Sequence, residues 1–462
     1  MFISKELKLT RWESEHMTKS YDVIVIGSGL SGLTIAYGLN KKGLSVAIVE
    51  ANKFGGAVAN YGSTRKKELV AFAELKLTAQ QLAKTGAVNE LTPNWQSAMA
   101  YIDSLENTES LEHETALRKV GIDTIYGEAI FVDEHHIEVA GSQYEGEKFV
   151  IATGAKSRTL QIEGSDYLKD STDFLTQKEL PKKVIFIGAG IIAFAFMTIA
   201  EAFDTEVTVL QHDERALAAF DQELVYKLIE LNKSRGINYH FDEQLIAVKK
   251  NQDNYSAITA KGIEYQADAI YCVAGRIPNI SDLGIETIGI ETDQHGIVVD
   301  EYLTTNISTI YACGDCSNTP VPKLATYAVW EADYLVEHLT GDGLKNIDYP
   351  LSVMSTFSQP KLAQVGISIS HAKENQELYS VETIDMTDWL EYKKNNDAIA
   401  LVKVIYQKSD NRIVGATSLS NQADLFINYF TMALHAGWTK AELKKIIFAY
   451  PSLANDVLRA YH

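Results

Sequence analysis

Tyr21-Asp-Val-Ile-Val-Ile26-Gly27-Ser-Gly29-Leu-Ser-Gly32 is a short apolar strand that runs directly into a glycine turn, and an apolar helix follows through Leu39. A second strand, Ser45-Val-Ala-Ile-Val49, ends in Glu50, 18 residues after Gly32. Each residue type has a chemical task in this pattern. Gly27, Gly29 and Gly32 allow the backbone to turn tightly and to approach a pyrophosphate, whose charge then faces a helix N-terminus. Glu50 stands where a carboxylate takes the adenosine ribose hydroxyls. A glycine turn alone is weak evidence, because glycines also merely turn chains. The strand before it, the helix after it and the acid at this distance together predict a dinucleotide site.

The pattern recurs at Val184-Ile-Phe-Ile187, Gly188-Ala-Gly190-Ile-Ile-Ala193, a helix, and Glu206-Val-Thr-Val-Leu210, so one chain carries two such sites. Strand-like pieces at Ile137–Val139, Lys148–Ile151 and Ala269–Val273 each end near a glycine and close the two sheets. Beyond residue 346 the texture becomes a meander, for example Ala400–Tyr406, followed by a helix over Ala423–His435. Leu425, Tyr429 and Met432 repeat at helical spacing and mark its expected buried face. Thr439 and Glu442 form a capping box for a last helix, expected to run through Ile447.

With 462 residues, 46% hydrophobic and 22% charged, and only 8 prolines, the chain folds throughout into several domains. Its net charge of −19 repels phosphate backbones and anionic lipid, which argues against nucleic acid as a partner. The uncharged stretch Val184–Ala200 is interrupted by Gly188-Ala-Gly190 and reads as a buried strand entering a buried helix, with no membrane insertion. Three cysteines cannot build a disulfide framework, and the expected compartment is the reducing cytoplasm. Residues 1–20 have no apolar core and read as a disordered leader, with Met17 a second candidate start. No metal is expected: the histidines lack paired ligand spacing, and His135 and His136, adjacent on a strand, would point to opposite sides.

From Ser20 to the C-terminus the sequence resembles the glutathione reductase and dihydrolipoamide dehydrogenase family of pyridine nucleotide-disulfide flavoproteins. Beyond the first fingerprint, the resemblance rests on Ala152-Thr153-Gly154, the second fingerprint at 188–193, Ala274-Gly275-Arg276-Ile-Pro278-Asn279, and Thr309-Ile-Tyr311-Ala-Cys-Gly314-Asp315. It implies an α/β protein with two Rossmann-like dinucleotide-binding domains and a C-terminal α+β dimerisation domain. The expected partition is an FAD domain over 21–160 and 290–345, an NAD(P) domain over 161–289 and a dimerisation domain over 346–462. FAD and NAD(P)H are the implied cofactors, with Gly27, Gly29, Gly32, Glu50, Gly56, Thr153, Gly154 and Asp315 around FAD. Asp315 would hold the ribityl chain, and the helix opening near Ala325 would aim its positive end at the flavin pyrimidine. Gly188, Gly190, Ala193, Gly275 and Arg276 belong to the NAD(P) side. Gln211 stands where NAD-preferring members carry a carboxylate and can bond ribose hydroxyls without repelling a 2′-phosphate. His212 and Arg215 nearby do not reproduce the paired arginines usual for NADP, so the preference stays open. Ile191 replaces an aromatic gate common in the family, and a decayed nucleotide site is the alternative.

The departures from the family pattern concern its redox centre. Its G-G-x-C-x-x-x-x-C segment ahead of a lysine is here Gly55-Gly-Ala-Val58-Ala-Asn-Tyr-Gly-Ser63-Thr-Arg-Lys-Lys67, with Val58 and Ser63 in place of both thiols. Neither side chain can perform thiol–disulfide exchange. The C-terminal histidine-proline pair becomes Tyr450-Pro451, and Asn455 replaces the orienting glutamate. Lys67 matches the lysine beside flavin N5, although its glutamate partner is Ala195, so a buried Lys67 ammonium would need another partner; the alternative is a solvated member of the run Arg65-Lys66-Lys67. Cys313 and Cys316 flank Gly314-Asp315 and read as packing residues. The expectation is a homodimer in which reduced FAD passes electrons directly to oxygen, a quinone, a metal ion or another small molecule. Lys67 and Tyr450 are its catalytic candidates, with Tyr61 a further acceptor-side residue. The alternatives are a flavin-binding sensor without turnover, and a disulfide reductase that uses Cys313 and Cys316.

Overall fold

A computed structural model of the chain describes residues 19–106, 109–341 and 345–460. Of the expected leader, residues 1–18 lie outside the described residues, and Lys19 and Ser20 already belong to the first strand, Lys19–Ile26. The described residues divide into two compact units, one drawn from the chain up to residue 63, from 105–156 and from 276–349, the other from 64–104, from 157–275 and from residue 350 onward.

The first unit is built on parallel strands in the spatial order Asp123–Tyr126, Val46–Glu50, Lys19–Ile26, Ser142–Ile151, with Ile310–Ala312 pairing onto the last of these. Two short antiparallel strands, Ala129–Phe131 and His136–Val139, extend one edge. Because the first strand is covered on both faces, Val23, Ile24 and Val25 are fully buried, which explains why it reads as a continuous apolar run. The helix Leu30–Lys41 packs Leu33, Ile35, Ala36 and Leu39 against one face. On the other, Ile24 and Ile26 meet Phe149, Ile137 and Ile310.

In the second unit the strands Asn238–His240, Glu206–Leu210, Lys183–Ile187 and Ala269–Cys272 make a parallel sheet in that order. The uncharged stretch around residues 184–200 resolves into the strand Lys183–Ile187 and the helix Ile191–Ala202, whose side chains are nearly all buried. No helix among the described residues is long and apolar enough to cross a membrane.

The C-terminal part is a five-stranded antiparallel sheet in the order Val353–Ser355, Lys361–Gly366, Ile413–Ser420, Leu401–Gln407, Tyr379–Asp385. It shares one core with the nucleotide sheet, since Leu362, Leu401 and Leu419 pack with Phe186, Val207 and Leu224. Lys403, almost fully buried, joins them through ion pairs of 2.6 Å to both Asp221 and Glu223. Lys361 similarly bridges Glu74 at 2.8 Å and Asp424 at 3.0 Å. These contacts place residues 161–275 and the C-terminal sheet in one unit together with the helical segment 64–104, while the FAD-side segment resumes at Arg276, ahead of the boundary expected near 290.

Two expectations need correction. The helix Ala423–His435 forms as expected, but its buried face is Ala423, Phe426, Ile427, Phe430, Ala433 and Leu434. Leu425 and Met432 are 58% and 54% exposed instead. Apolar residues occupy both faces, so periodicity alone selected the wrong stripe. The capping box at Thr439 and Glu442 is present, yet the helix it opens covers only Lys440–Leu443, and Ile447 is 95% exposed.

Candidate active site

In the first unit the glycine turn is determined by contacts that admit no Cβ. Gly27 sits at φ +103°, and a Cβ there would lie 2.5 Å from Ala152 O. At Gly32 a Cβ would lie 1.9 Å from Gly27 O, so the helix start and the turn can touch only without a side chain. Around Gly29, by contrast, a Cβ would meet nothing within 4 Å. Gly29 is also the N-cap of Leu30–Lys41, and no side chain caps that helix. Open space against unpaired amide groups at a helix N-terminus is what a pyrophosphate requires.

Glu50 locks the turn from the end of the second strand. Its Oε2 accepts from the Ser28 N–H at 3.0 Å and from the Ser28 hydroxyl at 2.5 Å, while Oε1 accepts from the Asn52 N–H at 2.9 Å. Gly55 N–H in turn donates to Ser28 O at 3.1 Å, and a Cβ on Gly56 would reach within 2.7 Å of Gly29 Cα. The two glycine turns are therefore packed on one another. Val58 lies in the short helix Gly56–Asn60, and Ser63 opens the helix Ser63–Ala83.

Thr153 and Gly154 follow the strand Ser142–Ile151, beyond its paired end. The Thr153 hydroxyl is buried beside the Cys316 thiol and has no hydrogen-bond partner among the described N and O atoms. Asp315 lies in a single helical turn, Gly314–Cys316; burial pushes its carboxyl up, while Arg276 and Lys323 pull it back. Arg276 donates to Ala155 O and Lys323 to Ser317 O, so both cations are tied to the backbone around Asp315. The helix Ala325–Thr340 begins at Ala325 behind Leu324, again with no side-chain cap. The open space at Gly29 and the uncapped start at Ala325 both fit an extended dinucleotide with polar groups along its length.

Sequence reasoning missed Glu331. This side chain is 1% exposed on the helix Ala325–Thr340, and burial raises its pKa. Its Oε2 accepts from the Gly314 N–H at 2.6 Å and its Oε1 from the Tyr349 hydroxyl at 2.9 Å. It therefore ties the helix to the turn that carries Asp315. A glutamate within an amphipathic helix pattern gives no signal of this, because its partner is 17 residues away and reached only in the fold. Glu331→Gln should turn an amide N–H toward one of the two donors and weaken FAD retention about tenfold, at a cost of about 1–3 kcal/mol in stability. FAD dissociation on dilution and the shift in melting temperature check this.

Cys313 and Cys316 are 1% and 0% exposed. The Cys316 thiol donates to Ile151 O at 3.3 Å and Cys313 O at 3.2 Å. Burial raises the pKa of both, that of Cys313 well above the ordinary thiol value. A neutral, enclosed thiol is a poor nucleophile.

In the second unit Gly188 has φ +102°, and a Cβ there would press on Ala274 Cα at 2.9 Å, whereas Gly190 again borders open space. Ala193 is fully buried in the following helix, where close helix–sheet packing leaves room for a methyl group. Gly275, at φ +107°, accepts through its carbonyl from the Arg158 N–H at 3.1 Å. Gln211 is placed differently from the expectation: it is 7% exposed, and its Oε1 accepts from the Ala189 N–H at 2.9 Å. Its Nε2 donates to Asp213 Oδ1 and Arg215 O, so no donor is left for a ribose.

Lys67 is exposed, and its ammonium lies 5.8 Å from the Phe357 ring centroid; no burial cost therefore falls on it. Lys66 carries that cost instead, 4.5 Å over the same ring, with a pKa lowered to about 8 by burial and then by Lys67. Tyr61 is half-buried, and Tyr450 is 77% exposed. His135 precedes the strand His136–Val139, so the two histidines do not alternate along it; His136 Nδ1 faces Asp133 at 2.9 Å.

Residues 21–332 match the family profile described as pyridine nucleotide-disulphide oxidoreductase, and residues 353–461 match the dimerisation domain of the same family. The chain belongs to that family. Dihydrolipoyl dehydrogenase of Staphylococcus aureus is 30% identical over 458 residues, 95% of each chain. Glutathione reductase of Burkholderia cepacia is 28% identical, over 94% of this chain and 97% of the relative. The solved HOCl-induced flavoprotein disulfide reductase RclA from Escherichia coli superposes with a TM-score of 0.86 at 25% identity, covering 94% and 99% of the two chains. Family members are FAD-binding flavoproteins that use NAD(P)H, and this chain is an oxidoreductase of that type.

Proposed function

We propose that the protein is an FAD-dependent NAD(P)H oxidoreductase that delivers electrons to oxygen, a quinone, a metal ion or another small molecule without a dithiol relay. The observation that carries this reading is the presence of Val58 and Ser63 at the two thiol positions, while Cys313 and Cys316 are buried with raised pKa values. Bound FAD would supply two-electron transfer from the reduced nicotinamide to the acceptor. Gly27, Gly29 and Gly32 would hold its pyrophosphate, Glu50 the ribose side, Asp315 and Thr153 its polar chain, and the helix start at Ala325 its electron-rich end. Gly188, Gly190 and Ala193, with Gly275 and Arg276, would carry the nicotinamide dinucleotide. Lys67 would place positive charge where electron density builds up, and Tyr450, with Tyr61, would line the acceptor side and donate a proton. Anaerobic titration with NADH and NADPH tests the reading. Bleaching of the yellow colour by either nucleotide supports it, and no bleaching by both overturns it.

The working form in this proposal is a homodimer in the cytoplasm, a reducing compartment that suits three unpaired cysteines. Leu425 and Met432 on the helix Ala423–His435, and Ile447 and Tyr450 in the segment after Leu443, are large exposed apolar side chains, as a self-complementary interface needs. Light scattering should return twice the 51.2 kDa chain mass. Leu425→Glu together with Met432→Glu should convert the protein to monomer at micromolar concentration, since two buried unpaired charges would cost several kcal/mol, on the order of the 3–5 kcal/mol seen for broken buried pairs.

A further inference from the structure

Both fingerprints contain a clamp on the residue between their first two glycines, but the two clamps differ. In the first, Glu50 alone accepts from the Ser28 N–H and also presents the carboxylate. In the second the tasks are divided. Gln211 Oε1 accepts from the Ala189 N–H at 2.9 Å, and the Leu217 N–H donates to Ala189 O at 2.9 Å, so both peptide groups of Ala189 are held by residues 211–217. Gln211 Nε2 then donates to Asp213 Oδ1 at 2.8 Å, where the Arg215 N–H also donates at 2.8 Å. His212 Nε2 stands 3.3 Å from Asp213 Oδ2, and the Asp213 side chain is about half exposed. The carboxylate has thus moved two residues along the chain, fixed to the glycine turn through a neutral amide.

The charges around this loop are unequal. Asp213 O accepts from the Asp242 N–H at 3.2 Å, which brings a second acidic residue alongside, and Glu214 is a third. Arg215 is the one arginine of residues 211–217, and its guanidinium donates to Ala218 O at 3.2 Å, back onto its own loop. His212 lies against Asp213. The Gln211 bond, followed by the Arg215 amide, holds Asp213 below the usual carboxylate range and hence ionised.

We infer that Asp213, oriented by Gln211, is the specificity-determining residue of the second fingerprint, where it accepts from the adenosine ribose hydroxyls and excludes a 2′-phosphate, so that the protein selects NADH over NADPH. An ionised carboxylate with acidic neighbours repels the added phosphate, and the one arginine of the loop turns its guanidinium back to Ala218 O. The inference rests on the reading that this fingerprint holds a nicotinamide dinucleotide.

Calorimetric titration of the yellow holoprotein with NAD+ and NADP+ tests it without turnover. The expected result is NAD+ binding at least about tenfold tighter than NADP+. Asp213→Asn keeps an oxygen for Gln211 and for the Arg215 amide while removing the charge, and should narrow that ratio about tenfold, chiefly by tightening NADP+. Glu214→Gln, an equal charge change in the same loop, should leave the ratio as it is. Equal affinities in the unaltered protein, an unchanged ratio in Asp213→Asn, or an equal response to Glu214→Gln would each overturn the inference alone. If neither nucleotide binds and neither bleaches the flavin, the functional reading fails with it.

Discussion

Replacing Gly29 by valine is expected to leave the protein folded and colourless. A Cβ at Gly29 meets nothing within 4 Å, so the side chain starts into open space. That space lies at the uncapped start of Leu30–Lys41, where the proposed pyrophosphate approaches the backbone. Filling it should reduce FAD retention by two orders of magnitude or more, about 2.7 kcal/mol, with a melting temperature close to that of the apoprotein. Gly32→Ala should also lose the cofactor, but through the fold, because its methyl would lie 1.9 Å from Gly27 O. Visible absorbance, FAD released on denaturation and thermal melting separate the two cases. The unaltered protein should be yellow and release FAD, not FMN. A full complement of FAD in Gly29→Val would contradict the assignment of the turn.

The second large effect concerns thiols. Alkylation should leave NAD(P)H oxidation intact, and glutathione disulfide and lipoamide should not be turned over, because Val58 and Ser63 cannot exchange with a disulfide. No long-wavelength charge-transfer absorption should appear on partial reduction. Cys313→Ala with Cys316→Ala should alter FAD retention if anything, since both thiols are packed on either side of Asp315. Lys67→Ala should instead slow flavin reduction about 10²-fold with FAD still bound, as expected for loss of one electrostatic stabiliser. Stopped-flow reduction measures this. Loss of turnover on alkylation, without release of FAD, would favour a relocated dithiol.

The two dinucleotide folds and their glycine turns were legible from residue types and spacing, and Val58 and Ser63 at the family's thiol positions from the resemblance. Strand, glycine turn, helix and acid are local in sequence, and the exclusion of a Cβ at Gly32 by Gly27 O is local too, whereas Gly27 and Gly188 are closed by Ala152 and Ala274 at the ends of distant strands. Periodicity failed where both faces of a helix are apolar, so Leu425 and Met432 seemed buried while Phe426 and Phe430 fill the core. It also gave no sign of Glu331, whose partners Gly314 and Tyr349 converge on it only after the helix has packed. At Gln211 the sequence alone determined that a neutral side chain replaces a carboxylate, which is a matter of residue identity. Only the tertiary structure decided that this amide turns inward to Ala189 and donates to Asp213, because side-chain direction follows from the unsatisfied backbone groups around it.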